Sequence, residues 1–145
     1  MLLEMVLVIA ITDGDTVKVL DHNRETIKVR LASIDAPEKR QPFGQKSKQM
    51  LSNLIGKQRV NLDCPKKDRY QRQICTITFN GVDINREMVA RGGAWVYRRY
   101  YHGMDYLAAE AAAREKKLGL WKTSEYQVIP PWEWRKKQRD RKPKK

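Results

Sequence analysis

Residues 5–34, MVLVIAITDGDTVKVLDHNRETIKVRLASI, decide the fold. Three runs rich in Val and Ile, Met5 to Thr12, Thr16 to Leu20 and Thr26 to Ile34, alternate in part between apolar and polar residues, as half-buried strands do. Asp13-Gly14-Asp15 and Asp21-His22-Asn23 separate them, and these are residue types that turn a chain. A three-stranded meander follows. Working outward, Met50, Leu51, Leu54 and Ile55 share one face of a helix over Gln45 to Ile55 that Gly56 ends. Arg59 to Cys64 and Gln73 to Phe79 read as two more strands around the polar loop Pro65 to Arg72, and Asn80-Gly81 signals a tight turn.

Asp83 is placed to cap a short helix through Ile84, Met88 and Val89, which stops at Gly92-Gly93. A further helix is predicted over Met104 to Lys117, with Leu107, Ala108, Ala111 and Ala112 as its apolar face. Five strands and about three helices make an α+β domain built on a small OB-type β-barrel. That domain is expected over 5–129, closing its core near Trp121. Pro130-Pro131 then breaks regular structure, leaving 130–145 as a Pro/Trp-containing and basic tail, mobile and partly disordered from Arg135 onward. Trp95 and Trp121 lie in apolar patterns and are expected in the core. For Trp132 and Trp134, folding back on the domain is favoured over holding nucleic acid with the tail.

The 145 residues carry 30 Lys and Arg against 17 Asp and Glu, a formal net charge of +13. Residues 135–145 hold eight basic groups and one acid, yet the remainder stays basic. Such a field attracts polyanions, either nucleic acid or an anionic surface. No stretch reaches the roughly 20 apolar residues of a membrane span, and Val6 to Ile11 is too short for a secretory signal. The tail has no amphipathic pattern, so membrane attachment is a weak reading. Cys64 and Cys75 stand without a His or Cys cluster, which argues against zinc and leaves a disulfide or two free thiols. Secretion or a periplasmic location after leader removal is the favoured expectation, with the cytoplasm as the alternative.

Asp15 and Asp35 fall at turn or strand-end positions where oxygen ligands can converge on a hard cation. Alone, an Asp-Gly-Asp stretch is an ordinary turn, Arg30 a surface ion-pair partner and Glu38 a solvated charge. With only His22 and His102, and no nucleophile elbow, the chain lacks histidine-rich or serine-based machinery.

The order of Asp13-Gly14-Asp15-Thr16, Arg30-Leu31, Asp35-Ala36-Pro37-Glu38 and Asp68-Arg69-Tyr70-Gln71-Arg72 resembles the staphylococcal nuclease (thermonuclease) family. The likeness runs from about Val8 to Trp121 and takes in Asn85-Arg86-Glu87 and Leu118-Gly119-Leu120-Trp121. It implies one calcium ion held by Asp15, Asp35 and the main-chain carbonyl of Ala36, with Glu38 as general base and Arg30 and Arg72 gripping the scissile phosphate. Arg69 and Tyr70 match positions that touch a second phosphate, and Tyr100 a position lining a base pocket.

The expected partners are DNA and RNA, single-stranded or locally melted, cleaved to leave 3′-phosphates by a protein without an obligate partner, hence a monomer. A non-catalytic OB module that binds nucleic acid is the alternative. Two departures from the family pattern stand out. Ala36 replaces Thr, and Gln71 replaces a Gly whose φ, if positive, would strain a side chain. Cys64 and Cys75 have no counterpart in that pattern, and a disulfide between them would tether the loop that carries Arg72.

Overall fold

The computed structural model describes residues 1–98, 104–122 and 129–141. In chain order the elements are β1 (Leu2–Asp13), β2 (Thr16–Leu20), β3 (Thr26–Leu31), β4 (Ile34–Asp35), α1 (Gly44–Ile55), β5 (Arg59–Lys67) and β6 (Gln73–Phe79). They continue with β7 (Val82–Asp83), α2 (Ile84–Ala90), β8 (Trp95–Val96), α3 (Met104–Glu115), a 3-10 turn (Gly119–Trp121) and α4 (Pro131–Arg141). The sheet order is β3-β2-β1-β5-β6-β7, and a parallel pairing of β3 with β6 closes the first five strands into a barrel. This is the expected α+β, OB-type architecture, with four α-helices among the described residues rather than about three. None of the helices described is long and apolar enough to cross a membrane.

Closure depends on β1, whose upper half pairs with β2 and whose lower half pairs with β5. Bulges between Val8 and Ala10 and between Leu3 and Val6 bend it to serve both neighbours. At Met5 the backbone takes φ 54°, and its N–H donates to the Asn61 side chain at 2.9 Å. Alternate residues then point inward: Val6 and Val8, Val17 and Val19, Val29 and Leu31, Val60 and Leu62, Cys75 and Ile77 are all buried. Each such aliphatic side chain withdrawn from water stabilises the fold by about 1.5–3 kcal/mol. Leu51 and Ile55 of α1 and Ile84, Met88 and Val89 of α2 complete this core.

Three sequence expectations are corrected. The third strand does not run through to Ile34. Ser33 takes φ 69°, the chain turns, and Ile34 and Asp35 pair instead with Val96 and Trp95. The inward face of α3 is Tyr106, Ala109, Glu110 and Ala113, while Ala108, Ala111 and Ala112 face solvent. Glu110 turns the helix this way, because its buried carboxylate accepts from Val96 N–H at 2.6 Å and pairs with Arg98 and Arg114. This buried carboxylate is the tie between α3 and β8.

The third correction concerns the tail. From Pro131 to Arg141, where Pro130-Pro131 was expected to break regular structure, the chain forms α4. Trp132 anchors it, with its ring 6.5 Å from Trp95 and 5.5 Å from Tyr97, both edge-on, and Trp95 in turn meets Trp121 at 5.3 Å. Folding back of Trp132 and burial of Trp95 follow the sequence reading. Aromatic edge-to-face packing holds a helix that has little aliphatic surface of its own.

Candidate active site

The turn from β1 to β2 lies against α1 because Gly14 has no side chain. A Cβ there would stand 1.9 Å from Ser47 Oγ and 2.9 Å from Ala36 Cβ. Ser47 is itself fixed, its hydroxyl donating to Gly93 O at 2.7 Å. This close approach sets Asp15 beside the segment Ile34 to Ala36. Ala36 N–H donates to Asp15 Oδ2 at 2.7 Å, Thr16 Oγ1 donates to Asp15 Oδ1 at 2.8 Å, and Leu31 N–H donates to Asp15 O at 2.8 Å. Both Asp15 and Asp35 are buried.

Arg30, near the end of β3, fills the space left where the strand turns away. Its Nη1 donates to Leu31 O at 2.8 Å and Ile34 O at 2.9 Å, which satisfies two carbonyls freed from the ladder. Its Nη2 stands 3.3 Å from Asp35 Oδ1 and 3.5 Å from Asp15 Oδ2. One guanidinium nitrogen therefore touches both carboxylates. Glu38 follows in a tight turn, where its N–H donates to Gln41 Oε1 at 3.1 Å and Gln41 N–H donates to Glu38 O at 2.9 Å.

The fourth helix completes the group. Arg135 Nη2 donates to Asp35 Oδ2 at 2.6 Å and Nη1 to Glu38 Oε1 at 2.6 Å. The structure thus brings together Asp15, Arg30, Asp35, Ala36 and Glu38 from the sequence prediction, and adds Arg135. A basic run without apolar periodicity gave no reason to single that arginine out; Trp132, one helical turn earlier, was the available signal.

Asp13 is a second addition. Burial, then the charges of Asp15 and Glu38, push its carboxyl up to about 6, against a pull downward from Lys48 and Lys39. Burial is also the main cause that lifts Asp35 to about 6; the nearby Asp15 charge acts the same way, while the hydrogen bond from Arg135 and the charges of Arg30 and Arg135 oppose it. Four acids crowd a space that Arg30 alone does not neutralise.

Arg72 precedes β6, whose Gln73–Cys75 lie beside Val29–Leu31 of β3. Asp68 holds it: the carboxylate accepts Arg72 Nε at 2.7 Å, Arg72 N–H at 3.0 Å and Tyr70 N–H at 2.9 Å. Burial acts to raise Asp68, but the hydrogen bonds from Arg72 and Tyr70 outweigh it and hold its carboxyl below the usual range. Gln71 does take the left-handed conformation, φ 65°, and the turn keeps a shape in which the terminal amino groups of Arg72 make no hydrogen bond among the described residues. The guanidinium lies 5.5 Å from the Tyr70 ring centroid. Arg69 Nη2 donates to Tyr70 Oη at 2.9 Å and its guanidinium lies 5.0 Å from that ring, on an exposed loop. Tyr100 lies outside the described residues.

Cys64 on β5 and Cys75 on β6 form a disulfide across adjacent strands, at the base of this loop. The asparagine of Asn85-Arg86-Glu87 also has a clear task. Its buried amide donates to Ala32 O and Cys75 O, both at 3.0 Å, and its carbonyl accepts Ile77 N–H at 3.1 Å. Asn85 staples the β3–β6 seam, across which Arg30 and Arg72 stand.

The residues present offer a hard dication two buried carboxylates and main-chain oxygen. Among the described residues no three His, Cys, Asp or Glu side chains gather as a ligand cluster. A cation here would take Asp15, Asp35, main-chain oxygen and water, the ligand class that calcium and magnesium prefer.

A closed five-stranded barrel carrying paired carboxylates and arginines at its seam defines a class, and comparison with known proteins agrees with it. The model of the family described as staphylococcal nuclease homologue matches residues 28–123. A Haemophilus influenzae protein named "uncharacterized endonuclease" is 46% identical over 132 residues, covering 91% of this chain and 73% of its own length. A Shigella flexneri protein named "micrococcal nuclease" is 41% identical over 140 residues, covering 89% of this chain and 79% of its own. An Escherichia coli protein also named "uncharacterized endonuclease" is 37% identical over 129 residues, with 88% and 82% covered. The chain belongs to the staphylococcal nuclease family.

Proposed function

We propose that this protein is a calcium-dependent nuclease that hydrolyses phosphodiester bonds of DNA and RNA, taking single-stranded or locally melted substrate. The observation that carries the reading is the meeting of Asp15 and Asp35 at one nitrogen of Arg30, with Glu38 tied to the same cluster. Membership of the family and the names of its relatives support nuclease chemistry. The strongly basic composition suits a polyanionic substrate.

Asp15, Asp35 and the carbonyl of Ala36 would hold the ion, with water in its remaining positions. Bound there, it supplies charge to polarise the phosphate and to orient a water. Glu38 accepts the proton of the attacking water as its oxygen bonds to phosphorus. The bond from phosphorus to the 5′-oxygen breaks, that oxygen takes up a proton, and the products are a 3′-phosphate and a 5′-hydroxyl. Arg72 donates to the non-bridging oxygens, where a planar guanidinium gains strength as charge builds in the transition state, and Arg30, whose terminal nitrogens are held by two carbonyls and two carboxylates, adds its positive charge beside them. Tyr70 and Arg69 meet the neighbouring nucleotide. Nothing in this set reads base edges, so cleavage is expected with little sequence preference.

Cleavage of single-stranded DNA by the wild type, Glu38→Gln and Arg72→Ala, each with calcium and with excess chelator, tests the reading. Calcium-dependent cleavage falling by about 100-fold or more in both variants is the expected result. Tight, salt-sensitive binding without cleavage under any metal would mean that the chain is a binding module instead.

A further inference from the structure

The contact between α4 and the carboxylates has no part in the chemistry just described. Arg135 lays both terminal nitrogens across Asp35 Oδ2 and Glu38 Oε1, each at 2.6 Å. One of these oxygens belongs to a residue that would ligate the cation, the other to the group that would take the proton from water. A guanidinium in that position satisfies the local negative charge and engages both an oxygen a dication would need and the oxygen that would take the proton. Burial acts to lower the pKa of Arg135, yet its hydrogen bond and charge contact with Asp35, then with Glu38, raise it, so it stays a cation throughout the working pH range.

The arginine reaches the site because the helix is docked from two sides. Trp132, one turn before it, packs on Trp95 and Tyr97. The Gln41 side-chain amide donates to Ile129 O, just ahead of the helix. Gln41 is the residue whose side chain also accepts from Glu38 N–H, so the turn that presents Glu38 is the turn that holds the start of α4.

We infer that Arg135 is an internal cation that competes with the divalent metal for Asp35 and occupies Glu38 while it does so, so that α4 and the metal are negatively coupled ligands of one acidic cluster. The inference rests on the proposed metal dependence. A tethered charge is always present at high local concentration, so an incoming dication must displace it and free Glu38 in the same event. Reciprocity then requires that docking of α4 weakens metal binding by the same factor by which metal weakens docking.

Isothermal titration of calcium into the metal-free full chain, Arg135→Gln and Trp132→Ala gives the coupling directly. The first variant removes the competing charge and the second removes the anchor of the helix. Both are expected to bind calcium roughly tenfold more tightly than the wild type, a factor typical of coupled sites. Amide hydrogen exchange in residues 131–141 of the wild type is expected to accelerate when calcium is added, a readout that needs no substitution and no substrate. Calcium affinity unchanged or weakened in Arg135→Gln, or exchange in α4 unmoved by calcium, overturns the competition. If that happens while wild-type cleavage still requires calcium, the inference fails alone. If no dication binds any of the three proteins, the metal-dependent reading fails with it.

Discussion

Asp13 and Asp35 keep their protons in the folded chain up to about pH 6, whereas both titrate near 3.8 when ordinary solvent surrounds them. Between those values the folded state binds more protons than the unfolded one, so stability falls as pH rises through this window. The penalty is complete above about 6 and relieved as pH drops toward 3.8. Asp68 has a shift of opposite sign, but its effect falls below 3.8 and leaves the window untouched. The metal-free protein is therefore expected to resist urea better near pH 5 than near pH 8. Calcium affinity is expected to run the other way, weaker at pH 5, because Asp35 must first lose its proton. Metal-free stability that climbs steadily from pH 5 to pH 8 would contradict the burial assigned to these two acids. At this scale the sequence was legible where order carried the information. Asp15, Arg30, Asp35 and Glu38 were found from motifs that fall in sequence order, and these four meet in space. Arg135 was not, since nothing in a run of basic residues distinguishes the one that turns inward.

Among the elements, the loop bearing Arg72 is held in two independent ways, by the Asp68 carboxylate within it and by the Cys64–Cys75 bond beneath it. The bond closes a short loop, with a sequence separation of 11, between strands that are already hydrogen-bonded. Its main effect should be on the unfolded chain, whose freedom it restricts, and not on the shape of the loop. Replacing both cysteines by serine is expected to cost about 2–3 kcal/mol in urea unfolding and to leave cleavage per folded molecule within about twofold of the wild type. A fall in cleavage without a fall in stability would show that the disulfide positions Arg72 after all. The five barrel strands and three helices were readable because each has enough residues to show a period. The two-residue strands β4 and β8 are too short to show one. The face of α3 was misjudged because Glu110 is buried by its partners and not by its own hydropathy, and α4 escaped notice because rings of other elements hold it.

For the molecule as a whole, the seam between β3 and β6 matters most. Asn85 satisfies three main-chain groups there, two carbonyls and one N–H, that no ladder pairs fully. Substituting Asn85 by Ala would remove this partner from Ile77 N–H and Ala32 O, while Cys75 O keeps Ala32 N–H, and a loss of about 3 kcal/mol is expected, measured by denaturant unfolding. A cost below about 1 kcal/mol would show that strand pairing alone closes the barrel. Composition and charge gave the class of partner at this scale, while closure itself, which needs residues more than 40 positions apart to meet in parallel, leaves no local trace in the sequence.

That parallel seam has a consequence in time. Strands β1 to β3 pair with their immediate neighbours and can form early, but β3 and β6 cannot meet until the intervening chain has folded back, and pairings of such high contact order are slow. Arg30 rides on one side of the seam and Arg72 on the other. A refolding chain would thus regain its local hairpins before Arg30 and Arg72 stood together, and Asp35, which reaches its place through the still more distant pairing of β4 with β8, would join them no sooner.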